Sequence, residues 1–134
     1  MIERPDPLKH VLPGPPLAIA AEALFLINLM LLPGIAFVIL VGVWLRHRNH
    51  ADPLVRNHLR QTVVTCVWGG ALLVVLSAAI FVIGGFDNPW SWVIGVLYFV
   101  LFHAGLILLG VLGLVRAING RSWRYPLVGP RRDD

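Results

Sequence analysis

Three stretches without a charged residue, Ala23 to Leu45, Val63 to Gly85 and Trp92 to Val115, follow one another in a chain of 134 residues. Each exceeds the ~20 residues that a helix needs to cross a bilayer. Lipid offers no partner to a bare backbone amide, and no alternating pattern supports a closed barrel, so the segments are expected to be helices. Only 13% of the residues are charged and 57% are hydrophobic, against roughly a quarter charged in an ordinary soluble domain. The expected fold is all-α and integral to a membrane, with three transmembrane helices. A signal peptide competes for the first stretch, but Ala18-Ile19-Ala20-Ala21 precedes the apolar run instead of closing it.

The basic residues set an orientation. Arg4 and Lys9 precede the first stretch, and Arg46, Arg48, Arg56 and Arg60 lie between the first and second. None lies between the second and third, and five follow the third. By the positive-inside rule the first loop and the C-terminus face the cytoplasm of a bacterial inner membrane, and three spans leave the N-terminus outside. Trp90 and Trp92 at one boundary, with Trp44 and Trp123 near the other, fit the interfacial aromatic belt. The arginines Arg46, Arg48, Arg56, Arg60, Arg116, Arg121 and Arg124 are expected on anionic lipid headgroups, which accounts for the net charge of +4 without nucleic acid.

Residues 1–16 hold five prolines and read as an extended arm, 17–117 as the transmembrane domain and 118–134 as an arginine-rich cytoplasmic tail. Pro33-Gly34 predicts a kink in the first helix, because proline removes a backbone donor and crowds the preceding turn. The alternative, that Pro33 splits this segment into two short hairpin helices, would move the N-terminus inside, and neither half would span. Asp52-Pro53 is a good start for the second helix, a carboxylate cap followed by proline at the first helical position. Arg56 and Arg60 share one face of its first turns, with Leu54, Val55 and Leu59 free to dip into the interface. The turn at Gly84-Gly85-Phe86-Asp87-Asn88-Pro89 is short enough to require an antiparallel hairpin of the second and third helices. Small or polar residues expected to let the helices approach are Asn28, Gly42, Gly70, Ser77, Gly84, Gly95, Gly110 and Gly113. The lone Cys66 reads as a small packing residue.

His103, in the middle of the third stretch, is the one side chain in the apolar cores that titrates near neutrality, and intramembrane ionisable residues merit a functional hypothesis. It is a candidate haem ligand, although the chain offers no second histidine at matching depth. The blander reading is a neutral imidazole bonded across helices, to Ser77 or Asn28. His47 and His50, with His58 beyond, have the spacing of a weak metal site, but Arg46 and Arg48 would repel a cation, so the three are expected in solvent or among headgroups. Glu22 sits just outside the first apolar run, where it can reach water. No phosphate loop, activated nucleophile or carboxylate pair is evident, so no catalytic residue is assigned and no enzyme activity is expected.

The ending Ala117-Ile118-Asn119-Gly120-Arg121-Ser122-Trp123-Arg124-Tyr125-Pro126 resembles that of the Tic-twenty-like family of small bacterial membrane proteins. Asp52-Pro53-Leu54-Val55-Arg56-Asn57-His58 is similar to that family's segment leading into its second span, and Pro33-Gly34 to its proline-interrupted first span. A departure follows: Thr62-Val63-Val64-Thr65-Cys66 stands where the family often has Ala, Leu, Asn, an aromatic residue and Gln. The resemblance implies an architecture more than an activity. Three functions are carried forward. The favoured one is a non-catalytic accessory or assembly subunit of a larger membrane complex, with other membrane subunits or further copies as partners. The others are a transport or protein-translocation component and a haem-bearing electron carrier using His103.

Overall fold

A computed structural model describes residues 7–130, apart from the side chains of Lys9 and His10. Arg4, Pro5 and the Arg131-Arg132 pair lie outside the described residues. A one-turn helix, α1 (Leu8–Val11), interrupts the expected extended arm, and four longer helices follow: α2 (Pro16–Met30), α3 (Ile35–His47), α4 (Pro53–Gly84) and α5 (Pro89–Ile118). The class is all-α, but among the described residues the expected three transmembrane helices are not found. Two helices, α4 and α5, are long and apolar enough to cross a membrane. The first apolar run is instead divided into α2 and α3.

The division has a local cause. Pro33 has no N–H to continue a helix, and Gly34 adopts φ 84°, a left-handed conformation that side chains other than glycine resist. The amides of Leu31 and Leu32 both close on the carbonyl of Ile27, and the Gly34 amide donates to Asn28 Oδ1 at 2.8 Å. With its backbone groups bonded inside the turn, the chain reverses where a kinked helix would have continued. Leu17 and Leu24 of α2 and Val41, Val43 and Trp44 of α3 accordingly pack around one cluster of Ala21, Leu40, Val55, Leu59 and Val63. On one continuous helix Leu17 and Trp44 would stand about 40 Å apart.

The hairpin reaches only halfway along the long apolar pair α4 and α5. From the Gly14 amide on the Ile118 carbonyl at 2.8 Å, α2 runs antiparallel to α5. It passes Gly113 beside Glu22 and Gly110 beside Phe25 and Leu26. It ends where His103 Nε2 donates to the Leu29 carbonyl at 2.8 Å, at the midpoint of α5. The segment leading into α2 therefore sits beside the end of α5, at the same end of the bundle as the α3–α4 loop. This corrects the three-span arrangement, which separated the two ends of the chain.

The α4–α5 pair is the antiparallel hairpin that the short turn requires. Ser91 lies against Gly84, Phe81 against Gly95 and Leu106 against Gly69, while Tyr98 Oη donates to the Leu72 carbonyl at 2.7 Å. Asp52 and Asn88 cap the two helices, accepting from Leu54 N at 2.9 Å and Trp90 N at 3.1 Å, with proline at the first helical position in both. Val55 and Leu59, expected at the interface, are instead fully buried in the core cluster.

Candidate functional site: a buried polar cluster at the basic end

Three helices and the tail converge on a carboxylate. Ala18, Ala21, Glu22 and Phe25 form the buried face of α2, so the helical repeat that buries Phe25 also buries Glu22. Its exposure is 0%, and the expectation that it reaches water is corrected. Glu22 Oε1 lies 2.6 Å from His58 Nδ1 of α4, and Glu22 Oε2 accepts a short bond from Tyr125 Oη of the tail. His58 is equally buried, so it is neither solvated nor among headgroups. Its Nε2 donates to the Arg121 carbonyl at 2.8 Å.

Two more rungs fasten the tail to α4. Trp123 N donates to Asn57 Oδ1 at 2.9 Å. One turn further along, Gln61 Oε1 accepts from Tyr125 N at 3.0 Å while its Nε2 donates to the Pro130 carbonyl at 2.7 Å. Asn57, His58 and Gln61 share one face of α4 through their spacing, and the tail lies across that face. Tyr125 and Phe25 seal the cluster with ring centroids 5.0 Å apart. The stretch around Asp52 to His58 and the ending around Arg121 to Pro126, far apart in sequence, thus form one structure.

Burial is the main influence on the Glu22 carboxyl and pushes its pKa up, opposed by the bonds from His58 and Tyr125 and by the His58 charge. The Tyr125 hydroxyl is also pushed up, first by burial and then by the neighbouring Glu22 charge. Nδ1 of His58 faces a carboxyl oxygen while Nε2 must hold a hydrogen to donate to a carbonyl. Glu22 and His58 consequently share one further proton, as imidazolium with carboxylate or as imidazole with carboxylic acid.

His47 and His50 stand with ring centroids 6.3 Å apart, but His58 is turned away from them into the buried cluster. His47 Nδ1 meets the Val43 carbonyl at 3.0 Å, and His50 Nδ1 accepts from Asp52 N at 3.0 Å. Among the described residues no three His, Cys, Asp or Glu side chains gather as a metal site. His103 bonds neither Ser77 nor Asn28, as noted above: Leu29 takes Nε2, and a ligand role for that nitrogen would require breaking this bond.

Asn28 serves the hairpin turn, and Ser77 Oγ is buried with no hydrogen-bond partner. Gly84, Gly95, Gly110 and Gly113 stand in close contacts, whereas a Cβ at Gly42 or Gly70 would meet no atom within 4 Å. Cys66 packs beside the core cluster. The side chains of Arg46, Arg48, Arg56, Arg60, Arg116, Arg121 and Arg124 are exposed, all at the end of the bundle that holds the polar cluster. Arg116 lies over the Trp123 ring, 6.0 Å from its centroid. The opposite end, Gly84 to Ser91, carries one charged residue, Asp87.

No curated protein and no solved structure matches the chain. A family model described as the magnetosome magnetite crystal formation protein family, MamF/MmsF, matches residues 17–131. That match replaces the Tic-twenty-like resemblance drawn from the chain's ending and first loop. It begins at the start of α2 and takes in the hairpin, both long apolar helices and the tail that closes over Glu22, so the chain belongs to the magnetosome magnetite crystal formation family.

Proposed function

We propose that the chain is a non-catalytic, membrane-embedded accessory subunit that supports magnetite crystal formation from within the magnetosome membrane, its basic end in the cytoplasm. The distribution of charge carries this reading. Every described Lys and Arg side chain lies at one end, which the positive-inside rule assigns to the cytoplasm. With α2 and α3 as a hairpin, the described segment leading into α2 joins that end, its Gly14 amide on the Ile118 carbonyl, whereas three spans would have left it outside. The lumenal end then offers a mineral a single carboxylate, Asp87, on the short turn from Gly85 to Asn88. That is too little charge for one copy to template an oxide surface. Organising other membrane components fits this surface better. Along α4 and α5, Val67, Trp68, Val74, Val82, Ile83 and Leu101 are exposed and apolar, available to lipid or to partner helices.

Deleting the gene in the organism that encodes it tests the reading. The expected result is smaller or misshapen crystals at normal total iron content, restored by the wild-type chain, with partner proteins recovered after mild-detergent purification. Unchanged crystals would overturn it.

A further inference from the structure

The two halves of this molecule occupy the membrane unequally. At the basic end four helices lie side by side, α2 through α5, each about 10 Å across. At the distal end only α4 and α5 remain. The depth of the change is marked by the Leu29–His103 bond at the midpoint of α5. Burial follows the same division. The buried residues of α4 run from Val55 to Leu73 and stop there, while four of the six in α5 lie in its second half, from Leu106 to Ala117.

The hairpin tip does not resemble a surface meant for water. Met30, Leu31, Leu32 and Ile35 are 61%, 73%, 48% and 60% exposed, at the level of the middle of α5, a helix long and apolar enough to cross a membrane. The distal halves flanking the missing pair present branched aliphatic side chains, Val74, Val75, Val82 and Ile83, which suit lipid chains. The cluster of Glu22, His58, Tyr125 and Gln61 holds the base of the hairpin to α4 and the tail, while His103 holds its tip. The unequal cross-section is thus fixed at both ends.

We propose that the chain acts as a one-sided membrane wedge, favouring bilayers curved so that its basic end lies in the convex leaflet. In that leaflet lipids are splayed and room for the extra helix pair costs least; in the concave leaflet only two helices must fit. The inference rests on the membrane-embedded reading above, but not on the role in crystal formation. A vesicle whose convex face is cytoplasmic is the geometry that this shape matches under the positive-inside orientation.

The test uses the purified full-length chain in phosphatidylethanolamine–phosphatidylglycerol vesicles of about 50 nm and about 400 nm diameter, since membrane insertion of this kind is sensitive to curvature. Protein density per lipid area is read by fluorescence, and orientation by protease access to the C-terminal tail. We expect at least about twofold higher density on the small vesicles, with the tail mainly outside, as the free energy of fit shifts the population. Equal density and orientation at both sizes would overturn the wedge and leave the role in crystal formation untouched.

Membrane-impermeant thiol labelling of Pro13→Cys in a Cys66→Ala background checks the hairpin itself. Labelling from the side of the tail is expected, and labelling from the opposite side sinks the proposal. An Asn28→Leu/Pro33→Ala/Gly34→Leu variant, built to straighten the first segment, should lose the size preference. Should it fail to fold, the wild-type measurements decide alone.

Discussion

Glu22 Oε1 and His58 Nδ1 stand 2.6 Å apart in side chains that are both fully buried, joining α2 to α4 across 36 residues of sequence. Because His58 Nε2 is committed as a donor to the Arg121 carbonyl, the pair stays net neutral while it holds its shared proton. Each partner makes the other's burial tolerable.

Replacing either partner alone leaves a buried polar group facing hydrocarbon. Glu22→Leu and His58→Leu should each lower unfolding stability by about 3 kcal/mol, the usual result of breaking a buried pair. The double variant should lose less than the sum, because the second substitution removes an already orphaned group. Detergent-titrated unfolding followed by tryptophan fluorescence measures all three, and strict additivity would mean that the two residues act independently.

Raising the pH should loosen the tail. Both Glu22 and Tyr125 have pKa values raised by burial. For an acid whose folded pKa exceeds its unfolded one, the unfolded state releases its proton first as pH rises. Its stabilisation is therefore complete below the unfolded pKa and is lost as pH climbs through the folded one. For Tyr125 that loss begins above about pH 10, the unfolded tyrosine value. Tyr125→Phe should reduce stability at neutral pH by about 1 kcal/mol, the net worth of a hydrogen bond, yet flatten the decline on the alkaline side. A pH series of melting temperatures for the two proteins reads this, and parallel alkaline limbs would remove Tyr125 as the cause.

The glycines expected on the helix-packing faces separate into two kinds once their surroundings are known. At Gly110 a new Cβ would sit 2.7 Å from Leu26 Cδ2 and 2.9 Å from two ring carbons of Phe25, and at Gly113 it would sit 2.6 Å from Glu22 Oε2. At Gly70 it would meet nothing within 4 Å. Gly110→Ala and Gly113→Ala should each destabilise by about 1–3 kcal/mol, as overpacking does. Gly70→Ala should be neutral or slightly stabilising in its helix. An equal loss at all three sites in the same unfolding assay would contradict the packing described.

What the sequence reveals and conceals here follows from the range of each interaction. The caps at Asp52 and Asn88 and the α4–α5 hairpin depend on residues a few positions apart, so spacing alone exposes them. The apolar run from Ala23 to Leu45 is long enough for one span, and hydropathy does not distinguish a span from a hairpin that turns at its centre. Pro33-Gly34 marks the break, but whether it kinks or reverses depends on Asn28 accepting from the Gly34 amide and on His103 donating to the Leu29 carbonyl. Arg4 and Lys9, left outside by three spans, are a second sequence signal, beside Pro33-Gly34, that favours the hairpin. The cluster at Glu22 was hidden for a different reason: Glu22, His58 and Tyr125 lie 36 and 67 residues apart, and no local pattern connects them. That Glu22 falls on the same helical face as Ala18, Ala21 and Phe25 was the available hint.

The tip of the hairpin provides the last prediction. His103 is the polar side chain holding Leu29 at mid-depth, and its bond closes on a carbonyl at the last turn of α2, where intrahelical donors run out. Removing it leaves that carbonyl without its side-chain partner. Interhelical hydrogen bonds in membrane proteins are nevertheless worth only about 1 kcal/mol, and Phe25 and Leu26 still pack on Gly110 when the bond is gone. His103→Leu should therefore lower global stability by about 1 kcal/mol or less while the tip alone loosens. Amide exchange of residues 29–35 should speed up, with residues 17–25 unchanged because the Glu22 cluster holds the base of the helix. Uniform acceleration along all of α2 would show that the hairpin is held from its tip, with the polar cluster secondary.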